Sequence, residues 1–529
     1  MPDELSHGAG QVRAAEVIGA LCLATDLGMG FPFEHGLRTT VIAMRLAERL
    51  EVDRATASRT YYACLLVHSG CTTNAHATAE VFGSSLTTQF NPVMYGPRRE
   101  VLAGLLRALA DPEGPAAARA LQAARRLPRL AREQPPHLTA MCEVAQMLAD
   151  GVGLPPSVQG LLAHLMARWD GKSPVGRARG DEIPLPMRIV HVAADAALQH
   201  LLGGEEQAVD VTRAHAGHGL DPGVATCLAD DAAEILALDR EASACEEALA
   251  CEPRPHLTLA GDAIERALAS MGNFADLISP FLTGHSAGVA ALAFAAAERC
   301  RVEDAAAVRR AALVHDLGRV AIAAGTWQKA APLSAAEWEQ VRLHPYHTER
   351  VLSRFSLLSE LGAVAGAHHE RLDGSGYHRR CRGADLPVPS RVLAAADAYH
   401  AMTEPRPHRE ALTPEQAARA LGEEASEGRL DADAVAAVVE AAGQPAPRIE
   451  RPAGLTEREA EVVGMLARGL QTKQVARALG ISVKTADRHV QNAYGKIGVS
   501  TRAAATLFAM ERGLVAWGEL PMGRPPVRS

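Results

Sequence analysis

Apolar residues recur at helical spacing almost throughout the 529-residue chain, and no convincing strand run interrupts them. The pattern predicts an all-α fold, and it is sharpest near the C-terminus. Thr456 with Glu459 three residues later is a capping-box signature for a helix start, and Gly469 is a natural stop for that helix. A second short helix is expected over 472–479, then a tight turn at Gly480-Ile481-Ser482, with Ser482 as N-cap of a third helix. In that helix Val483, Ala486, Val490, Ala493 and Ile497 recur at spacings of 3, 4, 3 and 4, predicting one buried stripe. The opposite face carries Lys484, Thr485, Arg488, His489, Gln491 and Asn492. A fourth helix is expected over 501–512. Residues 287–297 are apolar but short, bracketed by His285 and Glu298. No uninterrupted run approaches the ~18 residues of a membrane span, so no membrane partner is expected.

The helical pattern repeats. Leu46-Ala47-Glu48-Arg49 corresponds to Ala296-Ala297-Glu298-Arg299, and Leu66-Val67-His68-Ser69-Gly70 to Val314-His315-Asp316-Leu317-Gly318 in a slightly shifted alignment. Arg168-Trp169-Asp170-Gly171 echoes Arg371-Leu372-Asp373-Gly374, and Ala194-Asp195-Ala196 echoes Ala396-Asp397-Ala398. Two copies of one helical domain are therefore expected, over 1–250 and 255–445. Pro253 and Pro255 mark 241–256 as a linker or helix junction. Three prolines make 443–454 a semi-stiff spacer before a module at 455–515. The Pro/Arg-rich end, 521–529, reads as a disordered tail.

Composition changes this picture in two ways. Hydrophobic residues make up 48% of the chain but aromatic ones only 4%, so helices must pack closely on small, mostly alanine, side chains. The net charge of −8 also hides an asymmetry: residues 453–529 hold 11 basic against 6 acidic residues, a surplus of five, which leaves −13 for the rest. A basic module on an acidic body points to DNA as a partner. The nine scattered cysteines lack Cys-x-x-Cys spacing and read as reduced thiols. Met1-Pro2-Asp3-Glu4 does not begin a signal peptide, so a cytoplasmic protein is expected.

The candidate chemistry lies between residues 284 and 398. Gly284-His285-Ser286, His315-Asp316, His344-Pro345, His368-His369 and Ala396-Asp397 occur in order, giving five imidazole positions and two carboxylates of the kinds divalent metals prefer. His315 and Asp316 are adjacent, so on a helix they point about 100° apart, and one can serve a single ion while the other bridges to a second.

On these residues the segment 255–445 resembles the HD-GYP branch of the HD-domain phosphohydrolases, an all-helical fold whose metal centre hydrolyses cyclic di-GMP. The resemblance implies that His285, His315, Asp316, His344, His368, His369 and Asp397 hold two divalent ions, iron or manganese by ligand type, with Asp316 catalytic as the bridging ligand. It further implies that Arg319 touches a substrate phosphate and that Asp373, Gly374, Gly376 and Tyr377 form the signature loop around a cyclic dinucleotide. Arg406-Pro407-His408-Arg409 resembles the motif that often follows. Three positions differ from the family: His378 replaces the proline that closes the signature, Arg319 stands for a lysine, and Phe281 occupies the place of a carboxylate that supports a third metal. In the first copy His35, His68 and Asp195 persist, but Ser69, Leu165 and Met166 replace ligands, with His164 out of register. That copy is expected to be catalytically inert and to serve dimerisation or sensing.

The module at 455–515 is similar to the LuxR-type helix-turn-helix domain. The likeness rests on Leu455-Thr456-Glu457-Arg458-Glu459, the turn from Val475 to Ser482, Lys484-Thr485, His489-Val490 and Tyr494-Gly495-Lys496-Ile497-Gly498-Val499. It implies a four-helix module that binds DNA as a homodimer, with Lys484, Thr485, Arg488, His489, Asn492 and Lys496 at the interface. Three functions remain open: a regulator that hydrolyses a cyclic dinucleotide, a non-catalytic sensor of metal and nucleotide, and a regulator whose body only dimerises.

Overall fold

The computed structural model describes residues 11–72, 91–110, 115–237, 243–447 and 452–515, so the tail at 521–529 and part of the spacer at 443–454 lie outside the described residues. The chain forms two compact units. One comprises Met1–Leu282, Leu317–Gln328 and Val351–Ser359; the other comprises Thr283–Asp316, Lys329–Arg350 and Glu360–Ser529. The division differs from the boundary expected near residue 250, because 255–282 and two later pieces belong with the first unit.

Side chains explain why the described part of the junction, 243–256, is built in rather than loose. It includes the helix Ala244–Ala250, whose Ala248 carbonyl accepts from Tyr61 Oη at 2.9 Å. Buried Glu252 pairs with buried Arg13 and accepts from Tyr62 Oη at 2.6 Å. Directly beyond, Thr258–Ala260 pairs antiparallel with Gln11–Arg13, Val12 opposite Leu259. This three-residue ribbon is the only sheet among the described residues. It escapes a pattern reading because so short a strand has no period to detect. The fold is all-α otherwise.

Both halves build the same helix pair. His35–Arg49 follows Glu34 in the left-handed region (φ 74°), and Arg54–Leu65 is capped by Asp53, whose carboxylate accepts from Thr56 N. His285–Arg299 follows Gly284 (φ 84°), and Ala305–Val314 is capped by Asp304, which accepts from Ala307 N. Asp or Asn at N-cap stabilises a helix by ~1 kcal/mol, so the matching caps fix matching start points. In the second unit Ala305–Val314, Val388–Met402 and Ala432–Ala441 pack against His285–Arg299. The contact is made by small residues: Ala290, Ala293, Ala296, Ala297, Ala311, Ala312 and Ala395 are buried. Pro280–Arg299 is apolar enough, at mean hydropathy 1.3, to cross a membrane by length and composition. From His285 onward it is this central helix.

The C-terminal module has four helices, Glu457–Ala467, Thr472–Ala478, Val483–Ile497 and Arg502–Glu511. The Thr456/Glu459 capping box forms, Glu459 accepting from Thr456 N at 2.8 Å, and Ser482 Oγ accepts from Thr485 N at 3.1 Å. Ala486, Val490 and Ala493 are buried as the stripe predicts, but Val483 is 49% exposed and Ile497 only half-buried. The cluster of Val462, Leu466, Val475 and Val490 closes before the first turn of the third helix, which leaves Val483 outside.

Within the same unit the module's end is clasped to the body. Buried Arg391 donates to Leu386 O at 2.7 Å, Gly383 O at 3.1 Å, Asp431 Oδ2 at 3.0 Å and also to Gly513 O. A Cβ on Gly383 would lie 2.1 Å from Met510 O, so no other residue fits there without backbone movement.

Candidate metal centre

His285 opens one helix, and His315 and Asp316 follow the Ala305–Val314 helix directly. His344 opens the helix His344–Leu352, His368 and His369 lie just past Ser356–Ala365, and Asp397 sits within Val388–Met402. Five elements thus aim seven side chains at one point, where His285, His315, Asp316, His344, His368 and Asp397 are almost wholly buried.

The geometry falls into two groups that share Asp316. Its Oδ2 lies 3.4 Å from His285 Nε2 and 3.0 Å from His315 Nε2, with Asp397 Oδ1 3.2 Å from His285 Nε2. Its Oδ1 lies 3.2 Å from His344 Nε2 and 3.4 Å from His368 Nε2, and these two rings are 3.1 Å apart at Nε2. Donors held about 2.1 Å from an ion in octahedral array stand roughly 3 Å from their neighbours, so the spacing fits divalent ions. One position would be bounded by His285, His315, Asp316 and Asp397, the other by His344, His368 and His369 with Asp316 between.

Ring orientation supports the same reading. His315 Nδ1 donates to Ala312 O at 2.7 Å, His344 Nδ1 to Val341 O at 2.6 Å, and His368 Nδ1 to Ala365 O at 2.6 Å. Each bond places the ring proton on Nδ1 and turns the Nε2 lone pair to the centre, as metal ligation requires. His285 reaches the same state through a side chain, its Nδ1 standing 2.8 Å from Glu404 Oε2. His369 is different. It is lined up beside Tyr377, ring centroids 4.4 Å apart, and its Nδ1 is 3.8 Å from Asp397 Oδ2.

The electrostatics favour positive charge at the centre. Burial pulls the His315 imidazole down, but Asp316 and Asp397 outweigh it and push it up to about 9. Burial likewise opposes the Asp397 carboxylate, yet His285 and His315 hold it well below the usual range. Burial, reinforced by His368, drives His369 well below the ordinary imidazole value. A divalent ion can take the place of the proton that the carboxylates otherwise retain on His315.

The signature loop is shaped around its glycines. Gly374 has φ 81°, and a Cβ on Gly376 would lie 2.6 Å from Glu370 Cα. Asp373 does not face the centre with its bonds; its Oδ1 accepts from Ser375 N at 2.9 Å and Ser375 Oγ at 2.6 Å. Buried Glu370, which the sequence did not single out, ties the loop by accepting from Arg379 N at 3.0 Å and Cys381 N at 2.9 Å. Arg319 belongs to the first unit, buried, with its guanidinium 5.3 Å from the Trp327 ring centroid. In the C-terminal module Lys484, Arg488, Gln491 and Asn492 are exposed on the third helix, with Thr485 and His489 half-buried. Lys496 is engaged elsewhere: its Nζ donates to Glu459 Oε2 at 2.6 Å and Gly454 O at 2.9 Å.

Residues 270–434 match the HD domain family, and residues 453–509 match the luxR family of bacterial regulatory proteins. The chain thus carries an HD domain followed by a LuxR-type DNA-binding domain. Among curated proteins it is 27% identical over 437 residues to 3'3'-cGAMP-specific phosphodiesterase 3 of Vibrio cholerae, covering 81% of this chain and 94% of that protein. An alignment of that length extends into the first half of the chain. It is also 35% identical over 125 residues to a cyclic di-GMP phosphodiesterase of Thermotoga maritima, covering 23% of this chain and 33% of that one. The crystal structure of a cyclic GMP-AMP specific phosphodiesterase of V. cholerae shares the fold, with TM-score 0.57 and 22% identity over 82% of this chain and 98% of that chain.

Proposed function

We propose that this protein is a DNA-binding regulator whose HD domain hydrolyses a cyclic dinucleotide, 3'3'-cGAMP or cyclic di-GMP, with two divalent ions, iron or manganese. The carrying observation is that the two oxygens of Asp316 face two separate groups of imidazole nitrogens. Divalent ions held there would polarise phosphoryl oxygens and make water a nucleophile near neutral pH. The chain's own residues supply the rest. Asp316 keeps the two positions in register, and the Nδ1 bonds of His315, His344 and His368 hold their rings in place. Tyr377 offers its ring beside His369 to a base or ribose, and Gly374 and Gly376 let the loop backbone come close.

The LuxR-type module reads a two-fold symmetric site as a homodimer, with Lys484, Thr485, Arg488, His489 and Asn492 at the DNA. The ion pair with Glu459 draws Lys496 away from that set. Metal analysis after anaerobic reconstitution, followed by incubation with each cyclic dinucleotide, tests the enzyme. About two ions and a linear product are expected, and a protein that holds no metal would sink the reading. Metal and nucleotide binding without product would leave the non-catalytic sensor instead. For DNA, Arg488→Ala should weaken binding and, for a phosphate contact, reduce the salt slope by about one unit. Equal binding at every salt concentration would remove the third helix as reader.

A further inference from the structure

Three of the buried rings at the centre are oriented by their own chain. Ala312, Val341 and Ala365 each stand three residues before the histidine they hold, so the preceding turn supplies the carbonyl. His285 opens its helix after Gly284, which is in the left-handed region (φ 84°) and follows the short 3-10 turn Pro280–Leu282. Its Nδ1 instead meets a carboxylate 119 residues further along, Glu404 Oε2 at 2.8 Å.

Glu404 is itself positioned. Arg406 Nη2 donates to the same oxygen at 2.8 Å, and His400 Nδ1 stands 3.2 Å from Oε1. The His400 ring has room because residue 288 is glycine; a Cβ there would lie 1.9 Å from His400 Nε2. His285, His400 and Glu404 form a third group whose donor atoms could hold an ion. That group shares His285 with the main centre, and the short Nδ1–Glu404 contact is that of a ring proton held by a carboxylate while Nε2 faces Asp316 and Asp397.

We propose that Glu404 is a positioning residue that fixes the tautomer of His285 and so sets the affinity of the ion position bounded by His285, His315, Asp316 and Asp397. Arg406, His400 and Gly288 keep it in place. The proposal rests on the metal-centre reading above. A carboxylate behind a ligating imidazole orients the ring and raises its basicity, and loss of such a partner typically costs 10–100-fold in metal affinity. The two ion positions are then unlike: in one, His285 is backed by an anionic side chain, while in the other His344 and His368 are backed by main-chain carbonyls.

The test is a chelator-competition titration of the full chain with Mn(II), with metal content by elemental analysis, for the wild type, Glu404→Ala and Glu404→Gln. Glu404→Ala should weaken one of two binding steps by about 10–100-fold and leave the other in place. Glu404→Gln keeps an acceptor oxygen without the charge, nearly fills the same space, and should fall between. Two unchanged steps in Glu404→Ala, or two equally weakened ones, would overturn the role of Glu404 while leaving the centre intact. A wild type that titrates no metal would overturn the centre itself, which separates the two failures.

Discussion

His35 and His285 hold equivalent places in the two halves, each the first residue of a helix entered from a left-handed residue, and each is buried. Around His285 the chain supplies carboxylates, Asp316 at 3.4 Å and Asp397 at 3.2 Å. Around His35 it supplies apolar bulk: the Phe31 ring lies 4.6 Å away centroid to centroid, and 5.3 Å from that of His68. Burial alone then lowers His35 to about 4, and burial with the nearby His35 lowers His68 to about 3. Asp195, the counterpart of Asp397, is bound instead to His215, Nδ1 to Oδ2 2.8 Å, with both groups buried. Imidazoles thus serve as packing pieces in one half, while in the other they face the carboxylates of Asp316 and Asp397. What separates the halves is that Ser69 offers no counterpart of Asp316, Leu165 and Met166 replace two rings, and Asp195 turns to His215.

The sharpest way to test this contrast is Asp316→Ala, which removes the one carboxylate common to both groups. Metal content should fall from about two ions to none, with affinity down by more than the ~100-fold that an outer partner can cost, and hydrolysis should vanish. Elemental analysis and product formation report both; retained turnover would break the proposed mechanism. In the first half the equivalent blow is structural. His215→Ala strands a buried carboxylate and should cost about 3–5 kcal/mol, read by denaturant unfolding, with metal content unchanged.

His315 should also answer pH with a sign opposite to that of the buried imidazoles of the first half. His35, His68 and His191 have folded values of about 4, 3 and 4, below the ordinary 6.5, so the unfolded chain binds more protons in between. The stability they contribute is full above 6.5 and is lost as pH falls towards 4, at roughly 1.4 kcal/mol per imidazole per unit. His315 in the metal-free protein is raised to about 9, so its contribution is full below 6.5 and is lost as pH rises through 9. Thermal unfolding of metal-free protein between pH 4 and pH 9 should therefore show loss at both ends, and added metal should remove the alkaline one. The smallest effect is expected from Ser69→Asp. Restoring that carboxylate should add no metal, because Leu165 and Met166 still replace two rings and Asp195 stays with His215. A gain of even one ion would break the comparison.

The ladder of His and Asp is legible in the sequence because those residues stand out in an alanine-rich chain and recur in order. The helix caps at Thr456 and Ser482 are equally plain, since a cap is a local signal. Glu404 is not legible: its partner is 119 residues away, and nothing at 404 marks it as facing His285. The carbonyls of Ala312, Val341 and Ala365 are invisible for the opposite reason, every residue having one. Val483 fits the period of the buried stripe and is nevertheless exposed, because periodicity gives a direction and not how far the neighbouring helices reach.

The Arg391 clasp bears on how the reader helices can be arranged. A proline-containing spacer alone would leave the DNA module free to turn on a tether. Anchored at Gly513, the module is held at its last helix as well as its first, and the tether keeps the local concentration of the two surfaces high even where the contact itself is weak. In a dimer, the separation and tilt of two recognition helices would then be dictated by the bodies to which they are clasped. Lengthening the spacer by a few Gly-Ser pairs should leave the preferred half-site spacing alone, while Arg391→Ala should relax it. The clasp would make the body the ruler with which a dimer of the proposed regulator measures DNA.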